Sequence, residues 1–385
     1  MVLLALAVPA FADPQLEPIQ PGQSYAIDLY SGVPLGNAAV IATGGASQAD
    51  SIGSSGTLAN PSAPAVRQTT DTDIWNWDYH FDFLLGSLSS DYSNSGIAGL
   101  SDTHAQTVTA GGSLRIHDWG GAITATYRGT SIDNSMGGQA LQAQAWVGKL
   151  AVAKWFAKID MAIGASLDLA LFDVVPQTAG AASLFSISGS SVEGGAQWIP
   201  RRQSFRVGST LVAAVANSKV TVDTCTTDPI CPYLPDSVVT PAQFSGGVAY
   251  RWAETAWNQQ VGGTFRDEVS LTALADVVVT GPSPNAYGLD AFGIEKLERS
   301  GRHNAVSLRG GLEYEWLPGR LRLRAGSYWE PNRFEGVPGR IHATMGIEGR
   351  ALEFQVWGRR RGRLTLTADL AAGYRNIGAS IGFWH

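Results

Sequence analysis

The side chains that could do chemistry in this chain recur at every second position. Asp78, His80 and Asp82 alternate with Trp77, Tyr79, Phe81 and Phe83, so two carboxylates and an imidazole share one side of a run. Such a set suggests metal binding or acid–base work. Alternate residues of an extended strand lie about 7 Å apart, too far for three ligands on one ion unless neighbouring strands contribute. A second set joins Glu313 and Glu315 to Arg320, Arg322 and Arg324, with Arg309 on the same side as the glutamates. Guanidinium groups bind carboxylates in a bidentate manner. An excess arginine here would hold the carboxylate of an amphiphile. Matched numbers would instead give an ion-pair network, which low-dielectric surroundings favour.

Other polar features read more plainly. Arg359, Arg360, Arg361 and Arg363 form the densest basic run and fit a turn between strands better than a phosphate site. Cys225 and Cys231, the only cysteines, sit in a polar, Pro-containing stretch. A local disulfide is expected in an exported protein, since a metal site would need two more ligands and no His lies close. No metal site or cofactor is expected. Gly-x-Ser-x-Gly, His-Glu-x-x-His and phosphate-loop patterns do not occur. The remaining enzymatic reading is a Ser and a His on barrel strands, as in outer-membrane lipid hydrolases, and the chain is expected not to be an enzyme.

Positioning these side chains requires elements with two unlike faces. The run from Ile74 to Leu84 alternates aromatic with polar residues at strict period two, the pattern of a strand between two environments. The pattern recurs to the C-terminus. Val108, Ala110, Leu114 and Ile116 oppose Thr107, Thr109, Ser113 and Arg115, and Leu364, Leu366, Ala368 and Leu370 oppose Arg363, Thr365, Thr367 and Asp369. About fourteen such runs can be placed, many near the roughly 9–11 residues that a tilted strand needs to cross a bilayer's hydrocarbon.

Composition agrees. Charged residues make up 16% and the net charge is −6, with no basic stripe to attract nucleic acid. Mean hydropathy is close to zero, as expected of strands apolar on one face only. No apolar run reaches the roughly 20 residues of a spanning helix. Trp75, Trp77, Trp119, Trp198, Trp252, Trp316, Trp329 and Trp384 fall near strand ends, where two aromatic girdles would sit and where a soluble β-sandwich needs none. The expected fold is all-β: a closed antiparallel transmembrane β-barrel of about 14 strands, integral to a bacterial outer membrane and surrounded by its lipid.

Residues 1–12 end Ala10-Phe11-Ala12 before Asp13-Pro14, like the apolar core and small-residue cleavage site of a signal peptide. The usual basic start is missing, consistent with a true start upstream of Met1. Residues 13–70 are rich in Gly, Ala, Ser and Pro, show no sustained periodicity and read as a separate N-terminal segment before a barrel at 71–385. Barrels of this kind have short periplasmic turns and longer outer loops. Connections after odd strands are mostly long and those after even strands mostly short, which sets both termini in the periplasm. The exceptions are a long inner turn at 253–267 and a tight outer turn near Arg375-Asn376.

The stretch from Ser31 to Arg67, reaching Asn60-Pro61-Ser62, resembles the start of the FadL-type outer-membrane transporters of long-chain fatty acids and other hydrocarbons. In that family a Gly/Ala-rich segment ending Asn-Pro-Ala forms a hatch inside a fourteen-stranded barrel. Asn60 and Pro61 match that motif, and Ser62 departs from it. Thr240 to Trp252, Ser270 to Val277 and Leu321 to Pro331 are also similar. Asp13 to Tyr30 is longer than the family's lead-in, and the chain ends Phe383-Trp384-His385 rather than on an aromatic residue. The resemblance implies a plugged channel for passive uptake of hydrophobic small molecules, assembled by the barrel-assembly machinery. The lumen arginines Arg309, Arg320, Arg322 and Arg324, with Glu313, are its candidate ligand contacts. The alternative is a scaffold, or a surface-protein assembly or shuttle factor, that moves no small molecule.

Overall fold

The computed structural model describes residues 15–383 except 35, 70, 72, 87–90, 98–102, 133–139, 179–182, 216–232, 262–264 and 357–358. The leader expected at residues 1–12, the Cys225–Cys231 disulfide and Trp384 lie outside the described residues. Fourteen strands close into one antiparallel barrel. They are β1 (Trp75–Leu85), β2 (Thr103–Ile116), β3 (Trp119–Ile132), β4 (Leu141–Phe156), β5 (Met161–Pro176), β6 (Phe185–Trp198) and β7 (Phe205–Val212), then β8 (Gln243–Ala253), β9 (Ser270–Thr280), β10 (Ala305–Leu317), β11 (Leu321–Glu330), β12 (Arg340–Gln355), β13 (Arg359–Ala371) and β14 (Tyr374–Phe383). Each pairs with its sequence neighbours, and β14 closes on β1 by pairing Ile377–Gly382 with His80–Leu85.

The two faces separate as the alternation requires. Phe81, Ile123, Leu169, Val248 and Leu366 are exposed on the outside, whereas Asp78, His80, Asp82, Arg115, Asp276 and Glu348 are buried within. With lipid covering the outer face, the polar row needs partners from the lumen side. The exposed tryptophans are distributed unevenly. Trp75, Trp119, Trp198, Trp252 and Trp316 ring the end where strands join by short turns, whereas Trp146 lies in the loop-end half of β4 and Trp329 near the other end. Among the described residues, the aromatic belt is therefore dense at one rim rather than equal at two.

Connection lengths alternate as expected except after β8, where the turn is long, at 254–269. The tight loop-end turn falls at Ala372-Gly373, three residues before the expected Arg375-Asn376. Gly373 adopts φ 67°, a left-handed conformation that glycine supplies without strain, so the chain reverses there.

A five-stranded sheet fills the loop end, in the order Leu16–Pro18, Lys296–Ser300, Ala286–Gly288, Ala26–Asp28 and Ser237–Val239. The described chain thus begins at the loop end, and β14 finishes at the short-turn end. Burial explains the route. Tyr25 and Ile27 pack on Leu141, Phe172, Val174, Phe185 and Ile187, which line the inside of β4, β5 and β6. The inner wall is apolar at this level, not charged throughout, and it accepts the long lead-in.

Candidate functional site: the hatch and the lumen

Two short helices, α1 (Ala38–Ala42) and α2 (Gly53–Gly56), and a 3₁₀ turn (Ala63–Ala65) form a plug inside the barrel. Small residues suit it, because the plug packs backbone-first against the wall. Asn37 begins α1, its side-chain oxygen accepting from the Ala39 and Val40 N–H groups.

Wall carboxylates hold this hatch by its amides. Ala38 N–H donates to Asp82 (3.0 Å), Ser54 N–H to Asp78 (2.9 Å), and the Ser47 and Gln48 N–H groups to Asp276 (2.7 and 3.0 Å). His80 Nδ1 meets Ser54 Oγ at 2.9 Å. The Asp78, His80 and Asp82 row therefore anchors the plug, and no cluster able to hold a metal occurs among the described residues.

Asn60 of the hatch motif is fully buried and its Nδ2 donates to the Gln48, Ala196 and Ser209 carbonyls at 3.2 to 3.3 Å. One amide thus ties the hatch to itself, to β6 and to β7. Its oxygen accepts from Ser62 N–H and Oγ, so the serine that departs from the family motif gains a partner. Pro61 lies against Gly164 and Gly195 of the wall. On β7, a Cβ added to Gly208 would lie 1.8 Å from the Gln48 carbonyl oxygen. Only glycine allows that approach.

The arginines sort into separate places. Arg322 and Arg324 lie across strands from Glu315 and Glu313. Glu348 on the next strand receives Arg324 Nη1 (2.9 Å), Arg363 Nη1 (3.1 Å) and Arg322 Nη1 (3.5 Å). Arg324 also reaches Glu313 at 2.6 Å. This pairing balances three arginines with three glutamates. Arg309 stands apart, opposite Asp276 and reaching the Gly45 carbonyl at 3.5 Å. Arg320 does not enter the lumen. It lies exposed in the turn between β10 and β11, where a register shift between Glu315 and Leu317 ends the alternation. Arg361, expected in a plain polar turn, instead binds Asp267 across the mouth with two contacts of 2.5 and 3.0 Å.

Residues not singled out by spacing complete the site. Trp257, from the long turn after β8, packs under the hatch alanines Ala46 and Ala49, with its ring 3.9 Å from the Arg206 guanidinium. Towards the loop end His342 lies between Glu330 and Asp369, 2.8 Å from each. The period-two rows carried signals for Glu348 and His342, but none for Trp257. Below the hatch a cavity of about 180 Å³ remains, bordered by Arg206, Arg251, Trp257, Leu274 and Glu313.

The loop-end sheet carries one uncompensated acid. Both Glu298 carboxylate oxygens are buried without a hydrogen-bond partner among the described residues, and burial beside Asp290 and Asp91 pushes its pKa from 4.5 up to about 9. The folded sheet therefore holds a proton that the unfolded chain releases above about 4.5, so its stability falls as pH rises towards about 9. Protease resistance of the lead-in should decline over that interval. Glu298→Gln should remove the decline, and a parallel decline in both proteins would exclude Glu298 as its cause.

No protein-family model matches the chain, and no curated protein matches it in sequence. Solved structures do resemble it in fold. The Ralstonia pickettii toluene transporter TbuX is 11% identical with a TM-score of 0.54, over 91% of this chain and 98% of that one. A Pseudomonas aeruginosa FadL homologue is 12% identical with a TM-score of 0.51, over 94% and 98%. The deltaS2 mutant of the TodX monoaromatic hydrocarbon channel is 13% identical with a TM-score of 0.54, over 91% and 99%. At these identities the likeness is one of fold: this chain shares the closed barrel fold of FadL-type outer-membrane channels.

Proposed function

We propose that this protein is an outer-membrane channel for passive uptake of hydrophobic compounds. The observation that carries this reading is a hatch seated in the lumen entirely by non-covalent bonds, below an apolar inner wall at β4–β6. A plug held by hydrogen bonds can shift without unfolding the barrel, and an apolar wall gives a hydrophobic molecule somewhere to leave water. The loop end would face outside and the short-turn end the periplasm. No energy coupling or cofactor is needed for flow down a gradient, and assembly would depend on the barrel-assembly machinery. Both long-chain fatty acids and single-ring hydrocarbons, the latter matching the names of TbuX and TodX, are candidate substrates.

Uptake of labelled toluene and labelled oleate should be compared in cells with and without the protein, and in liposomes containing the purified barrel. Faster entry of either compound in both systems is the expected result. Unchanged entry of both would overturn the channel reading and favour a scaffold or shuttle.

A further inference from the structure

The cavity beneath the hatch has two unlike walls. One carries Arg322, Arg324 and Arg363 against Glu313, Glu315 and Glu348, three charges of each sign. The other carries Arg206, Arg251 and Arg266 against Asp50 and Glu268, with Arg361 beside them on Asp267 and Glu353. Asp50 takes Arg206 at 2.8 Å, and Glu268 is shared between Arg266 at 2.9 Å and Arg251 at 3.6 Å. Arg251 has no acid to itself in this group, because its contact to Glu268 is the longer of the two.

Arg251 has the weakest pairing of the three. Its side chain is 13% exposed, its ion-pair contact is the long one to Glu268, and its buried Nε has no hydrogen-bond acceptor among the described residues. A buried donor without an acceptor is costly, and more so on a charged group. A small anion in the cavity would supply the acceptor and a closer ion-pair partner together.

The cavity sets the size of that anion. About 180 Å³ is available, and an apolar cavity of about 150 Å³ accommodates benzene. A single ring therefore fits. Leu274, Ile52 and Val40 offer apolar lining, with Trp257 closing the side next to Arg206.

We propose that this chamber binds a single-ring aromatic carboxylate, with its carboxylate on Arg251 and its ring against the apolar lining below the hatch. The proposal rests on the channel reading and deepens it by naming an anionic substrate class on the short-turn side of the hatch.

Calorimetric titration of the purified full chain in detergent with benzoate, and with toluene as its neutral isostere, tests the site. Benzoate should bind, and Arg251→Gln should weaken it about tenfold or more, the worth of a charged hydrogen bond, while leaving toluene unchanged. Arg251→Lys, which keeps the charge but loses the fork, should fall between. Benzoate affinity unaltered in Arg251→Gln, or toluene binding with no benzoate binding, would overturn the proposal. If Arg251→Gln does not fold, the wild-type protein decides: benzoate affinity must fall with added salt, and an unchanged value counts against the site. Liposome flux keeps the two readings apart. Benzoate binding without flux of either compound removes the channel and leaves the site, whereas toluene flux without benzoate binding removes the site and leaves the channel.

Discussion

Replacing Gly208 with leucine should release the hatch while leaving the barrel closed. The wall at this point touches hatch backbone: the hypothetical Cβ lies 1.8 Å from the Gln48 carbonyl oxygen, 2.3 Å from its carbon and 2.8 Å from the Ala49 nitrogen. A flexible side chain would rotate away, but a peptide group cannot without moving the segment. Overpacking commonly costs about 1–3 kcal/mol where side chains can adjust, so about 3 kcal/mol against the seated state is a modest expectation. That raises the unseated fraction roughly a hundredfold. Movement of Gln48 also removes an acceptor of Asn60 and the Asp276 anchor of its N–H, so the cost spreads through the plug. Single-channel recordings should show long-lived open levels in Gly208→Leu that are rare in the wild type, and the hatch should become protease-sensitive. Gly194, on the outward face of β6 with nothing within 4 Å, provides the control. Gly194→Ala should conduct like the wild type. A quiet Gly208→Leu barrel would show that the seat yields without opening.

How much of this was legible beforehand follows from the physics of each part. The strands were readable because lipid and lumen are chemically unlike, and a period of two sorts residues between them without knowledge of any contact. The hatch was readable in outline, since Asn60 and Pro61 mark it and its composition excludes a periodic element. What Asp78, His80 and Asp82 do was not readable. Their face is legible, but Asp78 and Asp82 take backbone amides, and His80 a serine hydroxyl, from a segment 24 to 44 residues earlier, and such partners leave no periodic mark in a sequence. Arg320 illustrates a different limit. Counting by two carried it into the lumen beside Arg322, whereas the register shift after Glu315 leaves it in the turn. Trp257 shows a third. The length of its turn stands out in the sequence, but the direction in which that turn folds depends on tertiary contacts with Ala46 and Ala49. The lead-in is similar, because its place at the loop end rests on apolar partners from β4, β5 and β6.

Glu348→Ala should cause the largest loss of stability among single lumen substitutions. Its carboxylate, 1% exposed, receives Arg324, Arg363 and Arg322 together with Thr365 Oγ1 at 2.8 Å. Removing it leaves three guanidinium groups with two glutamates in a buried setting. Breaking a buried pair from one side costs about 3–5 kcal/mol, because the remaining charge is uncompensated. The effect should appear as a lower urea midpoint for barrels folded into lipid vesicles, with unchanged slope. Arg320→Ala, in the exposed turn, should stay within about 0.5 kcal/mol of the wild type. A double variant, Glu348→Gln with Arg363→Leu, separates charge from packing. It restores the balance of Arg322 and Arg324 against Glu313 and Glu315, and should recover much of the loss despite two substitutions. If the double variant is less stable than Glu348→Ala, steric fit outweighs charge balance at this wall. Recovery would mean that matched charge is what the lumen requires at Arg322 and Arg324, and that a loosely paired guanidinium such as Arg251 stands out against that background.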